Sequence, residues 1–209
     1  MQLPTIAYIA GATCVLPAII AAVRYKSLSR PMKVLAGLFV MYAAVVTAEY
    51  WLSQKGIQNL WIGQIYTLVE FSFFTVTFSM WVESGTRQRI LRWSIAAYAI
   101  IWSVLKVTVE HPGEFDNYSG PLAKLILLGL AMYTIRINFQ RTESNLLTFA
   151  RVWMSTGILL YGAGTLLILA ASNQILKLSP EGFLTLWYVN WSMLILSNLL
   201  YSKAFLCKE

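Results

Sequence analysis

The sequence predicts an all-α, polytopic membrane protein: one bundle of seven transmembrane helices spanning residues 1–209, with no second domain. Three observations carry this. Hydrophobic residues make up 58% of the chain and charged residues only 12%, where a soluble domain carries about a quarter. Mean hydropathy is +0.62. The apolar residues are gathered into runs of about 16 to 23 residues, the length a helix needs to cross roughly 30 Å of hydrocarbon, and the runs are separated by short loops.

Each run supports one span. The first, Thr5–Val23, reads "TIAYIAGATCVLPAIIAAV". It has no basic n-region and outruns a signal-peptide core, so it is expected to stay in the mature protein. Pro17 should kink it. The second, Val34–Ser53, carries Glu49 near its far end, and the third, Leu60–Val82, carries Glu70. Ile90–Val107 and Leu122–Ile137 are weaker. Arg92 and Lys106 bracket one, Lys124 and Arg136 the other, and these long side chains are expected to snorkel to opposite interfaces. The sixth span, Val152–Ala171, contains Gly157, Gly162 and Gly164, which suit close helix packing. The seventh, Leu184–Leu206, ends near Lys203.

Basic residues set the orientation. On a seven-span plan, 12 of the 16 Lys and Arg fall on one side, and Lys55, Lys106, Lys124 and Lys177 on the other. Cytoplasmic loops carry the excess, so the N-terminus is expected outside and the C-terminus inside. Trp51, Trp61 and Trp187 then form an outer belt, and Trp81, Trp93 and Trp153 an inner one. The net charge of +7 is a topology signal, with lipid the implied partner. Its dispersal over short loops argues against nucleic acid. Cys14 lies within a span and Cys207 at the opposite end of the bundle from the outer loops, so no disulfide is expected.

A faint repeat runs through the spans. Span three begins "LWIGQIYTL" and span seven "LWYVNWSML". Span two contains "LFVMYAAVV" and span six "GILLYGAGT". Tyr42 and Tyr161 are 119 positions apart and the Leu-Trp pairs 126, which fits a longer loop before span seven. A 3+1+3 parallel repeat would follow, a plan used by some transporters. In span count, length and orientation this resembles the SWEET-type sugar transporters and the KDEL receptor, although the Pro-Gln dipeptide of the related PQ-loop proteins is absent. "YTLVEF" and "WYVNWSMLILSNLLYSKAF" resemble small seven-span bacterial membrane proteins of unassigned function. That resemblance implies the topology and a bacterial inner membrane, and no activity.

The polar residues inside the spans are the candidates for a site. Glu70 stands ten residues into its span, about 15 Å deep, where a carboxylate faces a bundle interior or water. Gly63, Tyr66, Thr67 and Thr77 share its face, while Phe71, Phe78 and Val82 on the other face suit lipid. Span seven offers Asn190, Ser197 and Tyr201, with Asn198 beside them. Span six offers Ser155, Tyr161 and Thr165. Together with Glu49 these are expected to line a cavity open to the outside, with Glu70 at its floor. Two readings of Glu70 stand: a proton or cation site or the partner of a cationic ligand, against a neutral carboxyl that holds helices together by hydrogen bonding. Glu49, nearer the interface, is expected to be solvated or structural, and Asn190 and Asn198 to bond between helices.

An enzyme is not expected. The one histidine, His111, lies in "EHPGEFDNYSG", and zinc-dependent membrane hydrolases need several inside the bundle. His111, Glu114 and Asp116 read as a solvated acidic turn, and Asn117-Tyr118-Ser119 as a glycosylation sequon that matters only in a eukaryotic secretory pathway. Lys203 is too near a helix end for a retinal Schiff base. No cofactor, metal or catalytic residue is therefore expected. The functional expectation is a small-molecule or proton-linked transporter. The alternative is a ligand sensor or an accessory subunit bound to a partner membrane protein.

Overall fold

The computed structural model describes residues 4–111, 113–141 and 146–207. Lys208, counted among the inner cations, lies outside them, and the side chains of Arg141 and Lys177 are not described. Among the described residues the helices are α1 (Thr5–Thr13), α2 (Val15–Arg24), α3 (Arg30–Gln54), α4 (Leu60–Trp81), α5 (Gly85–Thr108), α6 (Ser119–Arg141), α7 (Ala150–Leu178) and α8 (Pro180–Leu206).

Local chemistry sets the boundaries. α1 and α2 are one span broken at Cys14. Pro17 has no N–H to offer the Thr13 carbonyl, and its ring crowds that oxygen. The Cys14 N–H turns back to the Gly11 carbonyl at 3.2 Å instead. α3 stops at Gly56, whose φ of +67° is open to glycine at little cost. There the Gly56 and Ile57 N–H groups donate to the Ser53 and Leu52 carbonyls, both at 3.0 Å, closing a Schellman turn. α8 opens on Ser179, whose Oγ accepts from the Gly182 N–H at 3.1 Å, with Pro180 in the first turn, the usual grammar of a helix start.

Among the described residues six segments are long and apolar enough to cross a membrane: Thr5–Ser27, which covers α1 and α2, then Arg30–Gln54, Gly85–Thr108, Ser119–Gln140, Ala150–Ala170 and Glu181–Leu206. α4 is not among them. Its 22 residues reach about 33 Å, but Gln64, Glu70, Thr67, Ser72, Thr75, Thr77 and Ser79 dilute its apolar content. The reason is its place in the bundle. α4 packs on α3, α5 and α6, and Gln64, Thr75, Thr77 and Ser79 are all buried. The expectation that Phe71 and Phe78 face lipid is wrong. Both are buried, Phe71 with its ring centroid 4.2 Å from that of Tyr98 on α5 and Phe78 against Trp81 at 5.5 Å. α5 covers the aromatic face of α4 at this depth, while Trp61 and Ile65 nearer its start remain exposed.

The other helices close around a centre. α2 meets α3, α3 meets α4, α4 meets α6, α6 meets α7, α7 meets α8, and α8 returns to α1 and α2. α5 rides outside this ring, mainly on α4, and Tyr98 is its one buried residue among those described. The glycines of α7 let it approach both neighbours. A Cβ on Gly157 would collide with the Tyr201 ring of α8, one on Gly164 would lie 2.8 Å from Met193 Cγ, and one on Gly162 3.1 Å from Leu128 of α6. Gly129 of α6 meets nothing within 4 Å. Gly157→Ala should therefore cost about 1–3 kcal/mol through overpacking, whereas Gly129→Ala should be neutral or gain up to about 1 kcal/mol in helix propensity. Thermal unfolding of the two variants in detergent measures the contrast, and equal melting temperatures would contradict this packing.

Candidate functional site

The ring encloses a cavity of about 360 Å³. It runs inward from the bundle end formed by Asn59, Glu114 and Phe115 and reaches Glu70, Lys124 and Tyr201. Every span except α5 contributes to its wall. Beyond Glu70 and Lys124 the space pinches to a crevice of about 10 Å³ bordered by Leu127, Ile158 and Gly162, so these two residues form its floor.

The floor is an ion pair. Lys124 Nζ of α6 donates to Glu70 Oε2 of α4 at 2.6 Å, with the side chains 7% and 12% exposed. The same ammonium lies 4.7 Å from the centroid of the Tyr161 ring on α7, a cation–π distance. Lys124 therefore does not snorkel to an interface as expected. A partner inside the bundle replaces the water it would otherwise seek, and three helices are joined at one point. Glu70, in turn, faces a cationic partner, as one reading of it from sequence expects, but the cation is the chain's own Lys124 and not a ligand.

A second cluster holds the loop at the bundle end where the cavity begins. Lys106 of α5 bonds to Glu110 Oε2 at 2.7 Å and to Asp116 Oδ1. Glu110 Oε1 accepts the N–H groups of Tyr118 and Ser119 at 2.7 and 2.9 Å, and its Oε2 takes the Ser119 hydroxyl at 2.6 Å. A carboxylate thus caps the first turn of α6, where free N–H groups and the helix dipole favour negative charge. Asp116 Oδ2 accepts from Thr67 Oγ1 of α4 at 3.0 Å. Gln64 Nε2 donates to the carbonyls of His111 and Glu114, both at 2.9 Å. Asn173 of α7 grips the Phe115 backbone twice: its Oδ1 accepts from the N–H at 3.1 Å and its Nδ2 donates to the carbonyl at 3.2 Å. The Phe115 ring stacks among Phe183 and Trp187. The solvated acidic turn expected here is instead a bound plug. His111 and Glu114 are exposed, but Glu110 and Asp116 are buried because Lys106 and the helix start supply their partners.

Seven of the eight candidate residues border the cavity: Glu49, Tyr66, Thr67, Glu70, Tyr161, Asn190 and Tyr201. Ser197 does not. It is buried and its hydroxyl turns back to the Met193 carbonyl at 2.8 Å, as helix serines in apolar surroundings do. Asn198 bonds between helices, its Nδ2 donating to Thr13 Oγ1 at 3.2 Å and Cys14 Sγ at 3.4 Å. Among the described residues neither Asn190 Oδ1 nor Asn198 Oδ1 has a hydrogen-bond partner. Trp187, expected as an interfacial anchor, borders the cavity instead, as do Trp191 and Tyr42, because the plug draws Phe115 onto that face of α8. Cys14 and Cys207 are both free. Sequence reasoning missed Lys124, Lys106 and Asp116 as partners. The signal available was that the two weakest spans are weak because each carries a lysine.

No protein-family model, curated protein sequence or solved structure matches this chain. The arrangement has to be interpreted from its own chemistry: an aromatic and amide-lined chamber, plugged at one end and floored by an ion pair at mid-bundle.

Two predictions follow from the charges. Lys124→Met leaves Glu70 facing an apolar neighbour and should destabilise by about 3–5 kcal/mol, while Glu70→Gln with Lys124→Met should recover much of that. Denaturant unfolding in detergent tests the coupling; a double variant no better than Lys124→Met would break the pair as described. At the plug, burial pushes the Glu110 carboxyl up, but the bonds from Lys106, Ser119 and Tyr118 outweigh it and hold the group below its ordinary 4.5. A depressed carboxylate contributes stability above its ordinary value and loses it as pH falls below about 4.5. For Asp116 burial wins over Lys106 and Thr67 and the value rises, so its protonation favours the fold as pH falls. Glu110→Gln should therefore flatten acid release of the plug, followed by protease cleavage within residues 109–118.

Proposed function

We propose that this is a seven-span membrane protein whose cavity admits a small solute from the outer face and passes it inward between two three-span halves. The observation that carries the reading is the Glu70–Lys124 pair at the floor of a chamber of about 360 Å³. Charged groups at mid-bundle are costly in lipid and mark pathways for solutes or protons. The volume falls within the range of small-ligand pockets.

The span count takes α4 as the seventh, since its length suffices and its polar groups are turned inward. The orientation places the plug outside. The opposite end carries Arg24, Lys26, Arg30, Lys33, Arg87, Arg89, Arg92, Arg136, Arg151 and Lys203, while on the plug side Lys106 and, deeper, Lys124 are matched by carboxylates and Lys55 is exposed, which sharpens the contrast in unmatched positive charge. The parallel repeat gains support from α5, which stands outside the ring where a linker between halves belongs. Tyr42, Val46 and Glu49 of α3 border the cavity, and so do Tyr161, Thr165 and Ile168 of α7, 119 positions later in each case. Gln64 and Asn190, 126 positions apart, are both buried amides in the wall.

A sensor would use the same chamber without opening its floor, and thiol labelling separates the two. In a Cys14→Ser, Cys207→Ser background, Val46→Cys should react with a membrane-impermeant reagent from the outer side. Ile158→Cys, beneath the floor, should react from the inner side if the floor opens. Reaction at Val46→Cys alone would favour a sensor. A folded protein with Val46→Cys unreactive from either side would overturn the cavity itself.

A further inference from the structure

The reading above leaves the solute unspecified, and the charge balance of the wall narrows it. Among the described residues four carboxylates border the cavity, Glu49, Glu70, Glu114 and Asp116, and one ammonium, Lys124. Glu70 is matched by Lys124 and Asp116 by Lys106. Glu114 is exposed at the rim. Glu49, half-buried in the wall, takes part in no ion pair among the described residues. Its Oε1 lies against α4, 3.4 Å from where a Cβ on Gly63 would stand, an ordinary van der Waals contact.

Aromatic rings border the same cavity. The Tyr42 and Tyr66 rings stack with centroids 5.1 Å apart, and Trp187 and Trp191 approach from α8. Deeper in the wall Asn190, 6% exposed, presents an Oδ1 with no hydrogen-bond donor. A carboxylate, an amide oxygen and ring faces all favour the same partner, a group that is positive and donates hydrogen bonds. The floor shows the combination filled: an ammonium held by one carboxylate and one tyrosine, Lys124 between Glu70 and Tyr161. On α3 the same two residue types border the cavity, Tyr42 at the position matching Tyr161 and Glu49 seven positions further along the helix toward the mouth. There the chain provides no cation. A metal ion fits poorly, since no group of three or more His, Cys, Asp or Glu among the described residues could hold one, and the walls are largely apolar.

We propose that the cavity binds a small organic ammonium, its charge set against Glu49 and the Tyr42–Tyr66 pair and its N–H groups reaching Asn190. This rests on the cavity reading above. Both a soluble amine and a lipid headgroup carry such an ammonium; the chemistry is shared and the sources are separable.

The test uses the full chain in nanodiscs of phosphatidylglycerol, with Val46→Cys in the Cys14→Ser, Cys207→Ser background as reporter. 2-Phenylethylammonium should slow labelling of Val46→Cys, and uncharged 3-phenylpropan-1-ol and anionic 3-phenylpropanoate should need about tenfold or more higher concentration, the loss of one charge-assisted contact. Glu49→Gln should weaken protection by a similar factor, Glu49→Asp should retain most of it, and Glu181→Gln, at the same end but outside the wall, should change nothing. Protection by phosphatidylethanolamine discs without added amine would identify the headgroup as the source and support the same assignment. Equal protection by the alcohol, stronger protection by the propanoate, or indifference to Glu49→Gln would overturn it. So would a reactive Val46→Cys that no probe protects, which leaves the cavity standing. An unreactive Val46→Cys withdraws the cavity as well.

Discussion

The rest of the structure depends on one buried contact, the ammonium of Lys124 against the carboxylate of Glu70. In lipid neither group can be left alone, and neither can find water without moving a helix. Their pairing therefore fixes α6 against α4 at mid-depth, and the Tyr161 ring brings α7 to the same point. Once these three helices are set, α8 follows α7 along its glycine face, and α1 and α2 close the ring. Replacing the pair by two apolar side chains would keep a bundle but would remove the reason for a chamber above it. Buried ion pairs contribute more to specifying one arrangement than to net stability, and this one specifies both the helix neighbours and the depth of the floor.

The plug obeys the same constraint closer to water. Lys106 sits near the end of a membrane helix, where a solvated ammonium would be acceptable, yet it turns to two carboxylates of the following loop. One of them, Glu110, caps α6, and the other, Asp116, contacts Thr67 on α4. The loop that joins α5 to α6 is thereby held over the ring, with Gln64 and Asn173 satisfying backbone groups that burial would otherwise leave unpaired. Thr67 lies one turn from Glu70 on the same helix, so plug and floor are attached to one rigid element. A shift of α4 along its axis would disturb both together.

Much of this was legible in the chain. Composition and run lengths announced a helical membrane protein, and the helical spacing of Tyr66, Thr67 and Glu70 marked the face of α4 that borders the cavity. Tyr161, Asn190 and Tyr201 were legible for the same reason, as polar groups at inward positions of otherwise apolar helices. Ser197 was misplaced because a hydroxyl can satisfy itself on its own helix, which periodicity does not reveal. Phe71 and Phe78 were misassigned to lipid because an aromatic stripe looks the same whether hydrocarbon or another helix covers it.

What the sequence determined by itself was the solvent: runs this apolar, with so few charges, fold as helices in a bilayer because each helix satisfies its own backbone there. What only the tertiary structure decided was the pairing of charges. Lys106 and Lys124 are separated from Glu70, Glu110 and Asp116 by 4 to 54 positions, and of these only Lys106 and Glu110 share a one-turn spacing. A lysine at the margin of a span has two ways to escape the cost of lipid, outward to water or inward to a carboxylate. Its own sequence neighbourhood looks the same in both. The choice rests on whether another helix brings a negative charge within a few ångströms, and that is a property of the packed ring.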